Sequence, residues 1–214
     1  TQGVSSAASD VYKRQKEDIH WAVASKIPQS RGLKSSAAVS VAAIKSLCQA
    51  TDTELNDSEI VDLSSQAQLR ANVSITGSID DSWACLTKGW KLIDANAEEI
   101  ADGVIMEGAG LNPDDWIVII ALRDERENRP ELEDFAPLYN EFEKALLALQ
   151  QGEILNCLTI NGRAVCAVTN DIQGRKISND AFINGARSSG LTGSGPAVVI
   201  AVSYTHLRAH ETDS

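Results

Sequence analysis

The sequence predicts an α+β fold on three observations. Strand-length apolar runs and helix-length segments follow one another without strict alternation, which argues against a doubly wound parallel sheet. The composition is that of an ordinary globular protein, 43% hydrophobic and 23% charged with no low-complexity tract. At 214 residues the chain is long enough to bury one good core or two modest ones.

The elements are expected in this order. Residues 19–24 read as a short strand leading into Lys26-Ile27-Pro28. Residues 35–50 form a helix whose Ala37, Ala38, Val41, Ala42, Ala43, Ile44, Leu47 and Cys48 make it apolar over much of its circumference, the mark of a buried helix. A second helix starts after Asn56-Asp57-Ser58, an N-cap signal, and runs to about Arg70. Residues 73–76 alternate like a strand and stop at Gly77, and Asp80-Asp81 opens a short segment containing Trp83, Ala84 and Leu86. Residues 89–93 are another strand, and the acidic, glycine-containing stretch that follows to Pro113 is the candidate domain boundary. The continuous apolar run at 115–122 predicts a strand buried on both faces. Residues 123–129 read as a solvated loop and nothing more. Helices are expected at about 131–150, 152–169 and 178–189, then a glycine-rich turn at 190–196 and a strand at 197–202.

The net charge of −11 and a pI near 4.7 exclude a broad nucleic-acid surface, which needs an extended basic field. They leave room for a small phosphorylated ligand. No stretch is apolar enough to span a membrane. Cys48, Cys85, Cys157 and Cys166 form no C-x-x-C pair, and three sit among apolar neighbours, so buried free thiols in a reducing cytoplasm are expected. His20, beside Trp21, reads as a packed structural histidine. Residues 1–15 show no periodicity and residues 203–214 interrupt what reads as a buried strand; both resemble translated adapter read-through, with polar disordered tails the alternative, so they are set aside from the fold as a tag would be.

Three constellations carry the chemistry. Pro28-Gln-Ser-Arg31-Gly32-Leu33-Lys34-Ser35-Ser36-Ala37 sets a proline-started, glycine-hinged loop against the start of a helix. Backbone N–H groups and the positive end of the helix dipole make phosphate its natural occupant. The Ser35 and Ser36 hydroxyls could cap the helix, touch phosphate oxygens or hold a metal ion. It is neither a Walker A loop nor a Rossmann fingerprint. Thr76-Gly77-Ser78-Ile79-Asp80-Asp81 places two carboxylates just past a glycine; at most one faces a reacting group, and the other can cap the next helix. Gly190-Leu191-Thr192-Gly193-Ser194-Gly195-Pro196 is a second glycine-rich turn with two hydroxyls.

In this order the three resemble the GHMP kinase superfamily, whose second motif, P-x-x-x-G-L-x-S-S-A, is matched by Pro28, Gly32, Leu33, Ser35, Ser36 and Ala37. The late turn matches its third motif, and Thr76-Gly77-x-x-Asp80-Asp81 with Asn161-Gly162 is similar to archaeal-type shikimate kinases. The resemblance runs from about Ile19 to Val202. It implies a two-domain GHMP-kinase-like fold, truncated at both ends, with a partial N-terminal ATP-binding domain at 16–110 and a partial C-terminal domain at 111–202. It implies ATP and Mg²⁺ as cofactors and phosphorylation of the shikimate 3-hydroxyl; homoserine kinase and a nonenzymatic nucleotide-binding relative are the alternatives. Gly32, Leu33, Lys34 and Ser35 would wrap the triphosphate and Ser36 would face the metal. Asp80 would take the proton of the substrate hydroxyl, with Asp81 the alternative. Gly193, Ser194 and Gly195 would floor the site. Arg31 and Asn161 are candidate substrate contacts, Arg31 otherwise pointing to solvent and Asn161 otherwise packing its helix.

Two departures stand out. Related enzymes often carry an acidic, Mg²⁺-binding residue near the end of the helix before the aspartate, where this chain reads Gln68-Leu69-Arg70-Ala71. Either Ser36 and the phosphates hold the metal, or Arg70 replaces some of its charge, or activity is poor. The family's first motif should also precede residue 16, so the expectation is that the intact protein is the kinase while this chain turns over little or nothing, with exposed sheet edges.

Overall fold

The computed structural model describes residues 20–204 apart from 75, 101 and 126–129. The adapter-like reading of residues 1–15 falls outside them, as does most of that of 203–214. Ser203, however, ends a strand opposite Trp116, and the Tyr204 amide donates to Asp115 O at 2.9 Å, so the last strand extends past the expected boundary.

Helices α1 (Ser35–Thr51), α2 (Asp57–Arg70) and α3 (Ile79–Leu86) come first, followed by the antiparallel pair β1 (Trp90–Ile93) and β2 (Val104–Gly108). After β3 (Trp116–Ala121) come a 3₁₀ turn (Leu132–Leu138), α4 (Tyr139–Gln150), α5 (Ile154–Val168) and α6 (Ile172–Ile183). Strands β4 (Ser188–Leu191) and β5 (Val198–Ser203) complete a sheet of order β3-β5-β4, antiparallel throughout. The α+β expectation holds: among the described residues three helices precede one small antiparallel sheet, and three more lie between β3 and β4 of the second.

Local chemistry accounts for most boundaries. Asn56 accepts from the Glu59 amide while Glu59 reaches back to the Asn56 amide, a reciprocal cap that starts α2. Pro137 splits the expected 131–150 helix into the 3₁₀ turn and α4. Asp171 caps the Gly174 amide at 2.8 Å, so α6 begins six residues before the expected 178 and residues 188–191 are free to pair as β4. The boundary stretch before Pro113 contains β2, whose Met106 and Val104 oppose Leu92 and Ile93.

Several expectations fail for want of a neighbour. Residues 20–24 form no strand, because no described strand lies beside them, and His20, Trp21 and Val23 are exposed rather than packed. Val73, Ser74 and Thr76 form none either; the Val73 amide bonds back to Gln68 O at 3.1 Å, closing α2 instead. Helix α1 buries only Ala37 and Val41, the face toward α2 and α3, and leaves Val39 and Leu47 exposed. Strand β3 is an edge, not a doubly buried strand: Val118, Ile119 and Ile120 are each about half exposed. Of the four thiols, Cys166 is buried, Cys48 and Cys157 are half-buried and Cys85 is exposed.

Two apolar clusters hold the molecule. Val61, Ile79 and Trp83 join α2 and α3 to Ile93 and Val104 of the small sheet. Val165, Cys166, Leu191 and Val198 join α5 to β4 and β5. At the second cluster Gly162 lies so close to Gly190 that a Cβ on it would come within 2.6 Å of the Gly190 Cα, which lets α5 and β4 touch backbone to backbone. Residues 126–129 of the expected 123–129 loop lie outside the described residues, but Arg123 is not simply solvated. Arg123 clamps both carboxylate oxygens of Asp171 at 2.6 and 2.8 Å and donates to Pro196 O at 3.1 Å, tying the end of β3 to the glycine-rich turn.

Candidate active site

The site is assembled where the first glycine loop meets the last glycine turn, 160 residues later in sequence. Thr192 Oγ1 donates to Gly32 O at 3.1 Å, and the Ala197 amide donates to Arg31 O at 3.1 Å. Gly32 has φ +73°, and a Cβ there would lie 2.5 Å from the carbonyl oxygens of both Thr192 and Gly195. Only glycine permits this approach. Lys34, in the left-handed region at φ 59°, is the N-cap of α1, whose first turn carries Ser35 and Ser36.

Helix α3 brings the acidic pair to the same place. Gly77 (φ +82°) and Ser78 (φ 52°) turn the chain sharply into α3, so Asp80 and Asp81 occupy its first turn, where the helix dipole favours negative charge. A Cβ at Gly77 would strike Ser65 Oγ at 2.0 Å, so this turn too requires glycine. The Lys34 ammonium is ion-paired with Asp81. Burial pushes the Asp81 carboxyl above its ordinary range, neighbouring Asp80 adds to this, and Lys34 pulls it back. Burial alone would lower the Lys34 ammonium, but Asp81 and Asp80 outweigh it and hold its pKa above the ordinary value.

One cavity of about 1130 Å³ joins these parts. Gly32, Leu33, Lys34, Ser35, Ser36, Asp80, Asp81, Gly193, Ser194 and Gly195 all line it, so most of the candidates named from sequence are brought together. The others lie outside it. Ala37 is fully buried behind the loop, Pro28 is half-buried beside it, and Gly190 is buried within β4. Thr192 acts through Gly32 rather than through the cavity. Arg31 turns toward Asp124 at 3.8 Å, and Asn161 is exposed on α5. Arg70 is exposed on α2 and does not line the cavity, so it supplies no charge in place of a carboxylate there.

Gln68, read from the sequence only as the lack of a carboxylate, stands at the centre of the polar contacts behind the cavity. It is 1% exposed and lines the cavity wall. Ser36 Oγ donates to its Oε1 at 3.1 Å, and its Nε2 donates to Ser64 Oγ, Ser82 Oγ and Gly77 O at 3.2–3.3 Å. Ser36 thus spends its proton on Gln68 and keeps oxygen lone pairs for the cavity, which fits a magnesium ion that takes one or two protein oxygens and completes its shell with phosphate and water. Among the described residues no helix is long and apolar enough to cross a membrane.

Comparison with known proteins agrees with this geometry. Residues 3–89 match the GHMP kinases N terminal domain. The chain is 29% identical over 82% of its length to a shikimate kinase of Methanothermobacter thermautotrophicus and 30% identical over 67% to one of Pyrococcus abyssi. It spans 60% and 51% of the lengths of these two relatives. Among solved structures, mevalonate kinase of Methanococcus jannaschii superposes with a TM-score of 0.59 at 20% identity, covering 89% of this chain and 62% of that one. Homoserine kinase of Cytophaga hutchinsonii gives 0.57 at 19%, covering 86% and 60%. Residues 3–89 are thus similar in sequence to the N-terminal domain of the GHMP kinases, and the fold of the chain is like that of the two solved kinases.

Proposed function

We propose that this chain carries the catalytic site of a kinase that moves the terminal phosphoryl group of ATP onto the 3-hydroxyl of shikimate. The observation that supports it best is that one cavity is lined at once by the phosphate-type loop, the start of α1, the late glycine turn and the carboxylate pair. Phosphoryl transfer asks little else of a protein than positioning and charge compensation. The shikimate kinase relatives favour the acceptor.

In this reading Gly32 to Ser36 and the first-turn amides of α1 hold the phosphates, and Gly193 to Gly195 close the floor. Asp81 is engaged by Lys34, which leaves Asp80, exposed at the cavity, as the base. The acceptor oxygen bonds to the terminal phosphorus as the bond from that phosphorus to the bridging oxygen breaks. The electron pair leaves with ADP, and the hydroxyl proton passes to the Asp80 carboxylate. A magnesium ion, when bound, neutralises phosphate charge, with Ser36 as its protein ligand.

Homoserine kinase is the second reading, favoured by the structural likeness to that enzyme. Substrate-panel kinetics on the full-length protein, following ADP release, separate the two. Shikimate is expected to be turned over in preference to homoserine and mevalonate, and a preference for homoserine replaces the reading. Asp80→Ala is expected to cut turnover at least about a hundredfold, the usual share of a general base. Unchanged turnover would make the protein a nucleotide binder whose carboxylate is not catalytic.

A further inference from the structure

The cavity has a charge imbalance that its motifs do not resolve. Two carboxylates, Asp80 and Asp81, line it, and among the described residues that line it Lys34 is the only lysine or arginine. A triphosphate brings several more negative charges into the same space. The amides of a helix end are partial charges, a magnesium ion would offset only part of a triphosphate, and the guanidiniums of Arg31 and Arg123 point elsewhere, to Asp124 and Asp171, which leaves the Lys34 ammonium as the full protein cation at the cavity.

Lys34 is placed for this. It stands at the N-cap of α1, where the loop, the helix dipole and the cavity coincide, and its ammonium crosses to Asp81 in the first turn of α3. Its side chain therefore spans the gap between the phosphate loop and the acidic pair. The pair is only partly shielded, with side-chain exposures of 33% and 21%, so the ammonium remains open to a ligand in the cavity.

We propose that the Lys34 side chain, and not only its backbone, is a ligand of the terminal phosphates, and that Asp81 is the positioning residue that holds this ammonium at the cavity. The proposal rests on the kinase reading and deepens it. The Lys34 ammonium is shared between Asp81 and the entering phosphate, so Asp81 sets both where it stands and how strongly it binds. Removing the ammonium weakens phosphate binding. Removing the Asp81 charge frees the ammonium and lifts a repulsion, so it tightens binding. A pair that merely braced the fold would give losses for both.

Titration calorimetry of the 214-residue chain with inorganic tripolyphosphate reads this sign directly, independently of any adenine contact. Lys34→Met is expected to weaken tripolyphosphate binding about tenfold or more, Lys34→Arg to stay within about threefold of the parent, and Asp81→Asn to tighten it about threefold. Circular dichroism confirms that each variant is folded. If Lys34→Met does not fold, Lys34→Arg and Asp81→Asn decide alone. Unchanged binding by Lys34→Met, or weaker binding by Asp81→Asn, overturns the proposal and leaves the kinase reading standing. Failure of the parent chain to bind tripolyphosphate at all overturns the phosphate loop itself, and the proposal with it.

Discussion

Substituting Gly32 by alanine tests whether the site is a joint between two distant loops. Two costs apply. At φ +73° an L-residue costs roughly 1–2 kcal/mol relative to glycine. The new Cβ would also stand 2.5 Å from two backbone oxygens, where a carbon–oxygen contact is ordinarily about 3.3–3.6 Å. Backbone on both sides cannot yield as a side-chain tip would, so the loop and turn must part by close to 1 Å. That sacrifices the bonds from Thr192 Oγ1 to Gly32 O and from the Ala197 amide to Arg31 O, at about 1 kcal/mol each. The expected loss is about 3–4 kcal/mol. Gly152 supplies the control, because it has φ +80° with nothing within 4 Å of a would-be Cβ. Gly152→Ala should therefore cost only the conformational part, roughly 1–2 kcal/mol. Urea denaturation followed by tryptophan fluorescence measures both, and the difference of about 2 kcal/mol is the energy of the joint. A Gly32→Ala variant within about 0.5 kcal/mol of Gly152→Ala would refute the close approach and with it the assembly of the site.

Arg123→Ala should destabilise the chain by about 3 kcal/mol in the same assay, because it removes the two-pronged cationic partner of the largely buried Asp171 carboxylate. Arg123→Lys, which keeps the charge but loses the two-pronged geometry, should cost about half of that; no loss for either would return residue 123 to the solvated loop read from sequence. The cysteines should separate by reactivity at pH 8, where the thiolate is the reacting species. Burial and the nearby Asp171 push the Cys166 thiol up to about 11, whereas Cys85, also raised by burial and Asp81 but pulled back by Lys34, is exposed, so alkylation mapped by mass spectrometry should be faster at Cys85 than at Cys166. Equal rates at the two would mean that α5 opens readily against β4 and β5.

The fold class and much of the cavity lining were legible. Gly32, Ser35, Ser36, Asp80 and Gly193 to Gly195 are short-range signals, each weak alone, and their order along the chain is what points to phosphate chemistry. Their union was not legible, since the bond from Thr192 to Gly32 O joins residues 160 apart and no local pattern encodes it. The strands fared worst. β4 reads Ser-Ser-Gly-Leu, with no alternation to mark it, and becomes a strand because β5 lies alongside. The run at β3 is apolar enough for a central position, yet a run cannot say whether a second neighbour exists, and among the described residues it pairs with β5 alone. The first turn of α6 holds Gly174 and polar residues, so its early start carries little apolar signal and depends on the Asp171 cap.

Gln68 shows why a missing carboxylate need not be a defect. Its amide accepts from Ser36 on α1 and donates to Ser64 on α2, Ser82 on α3 and the Gly77 carbonyl, so one side chain ties together the three helices that present the site. A carboxylate in its place could not donate to Gly77 O, would face that oxygen at 3.3 Å, and would put a charge in a position 1% exposed. Unpaired, such a buried charge costs several kcal/mol. The neutral amide avoids that cost and fixes the Ser36 proton, and through Ser82 it braces the residue next to Asp81. With position 68 neutral, the cavity lining carries one fewer negative charge than an acidic residue there would give it, and a single ammonium at Lys34 can matter to phosphate binding. The same amide that lacks a metal-binding charge is therefore what allows the loop and the acidic pair to be held in register around a polyanion.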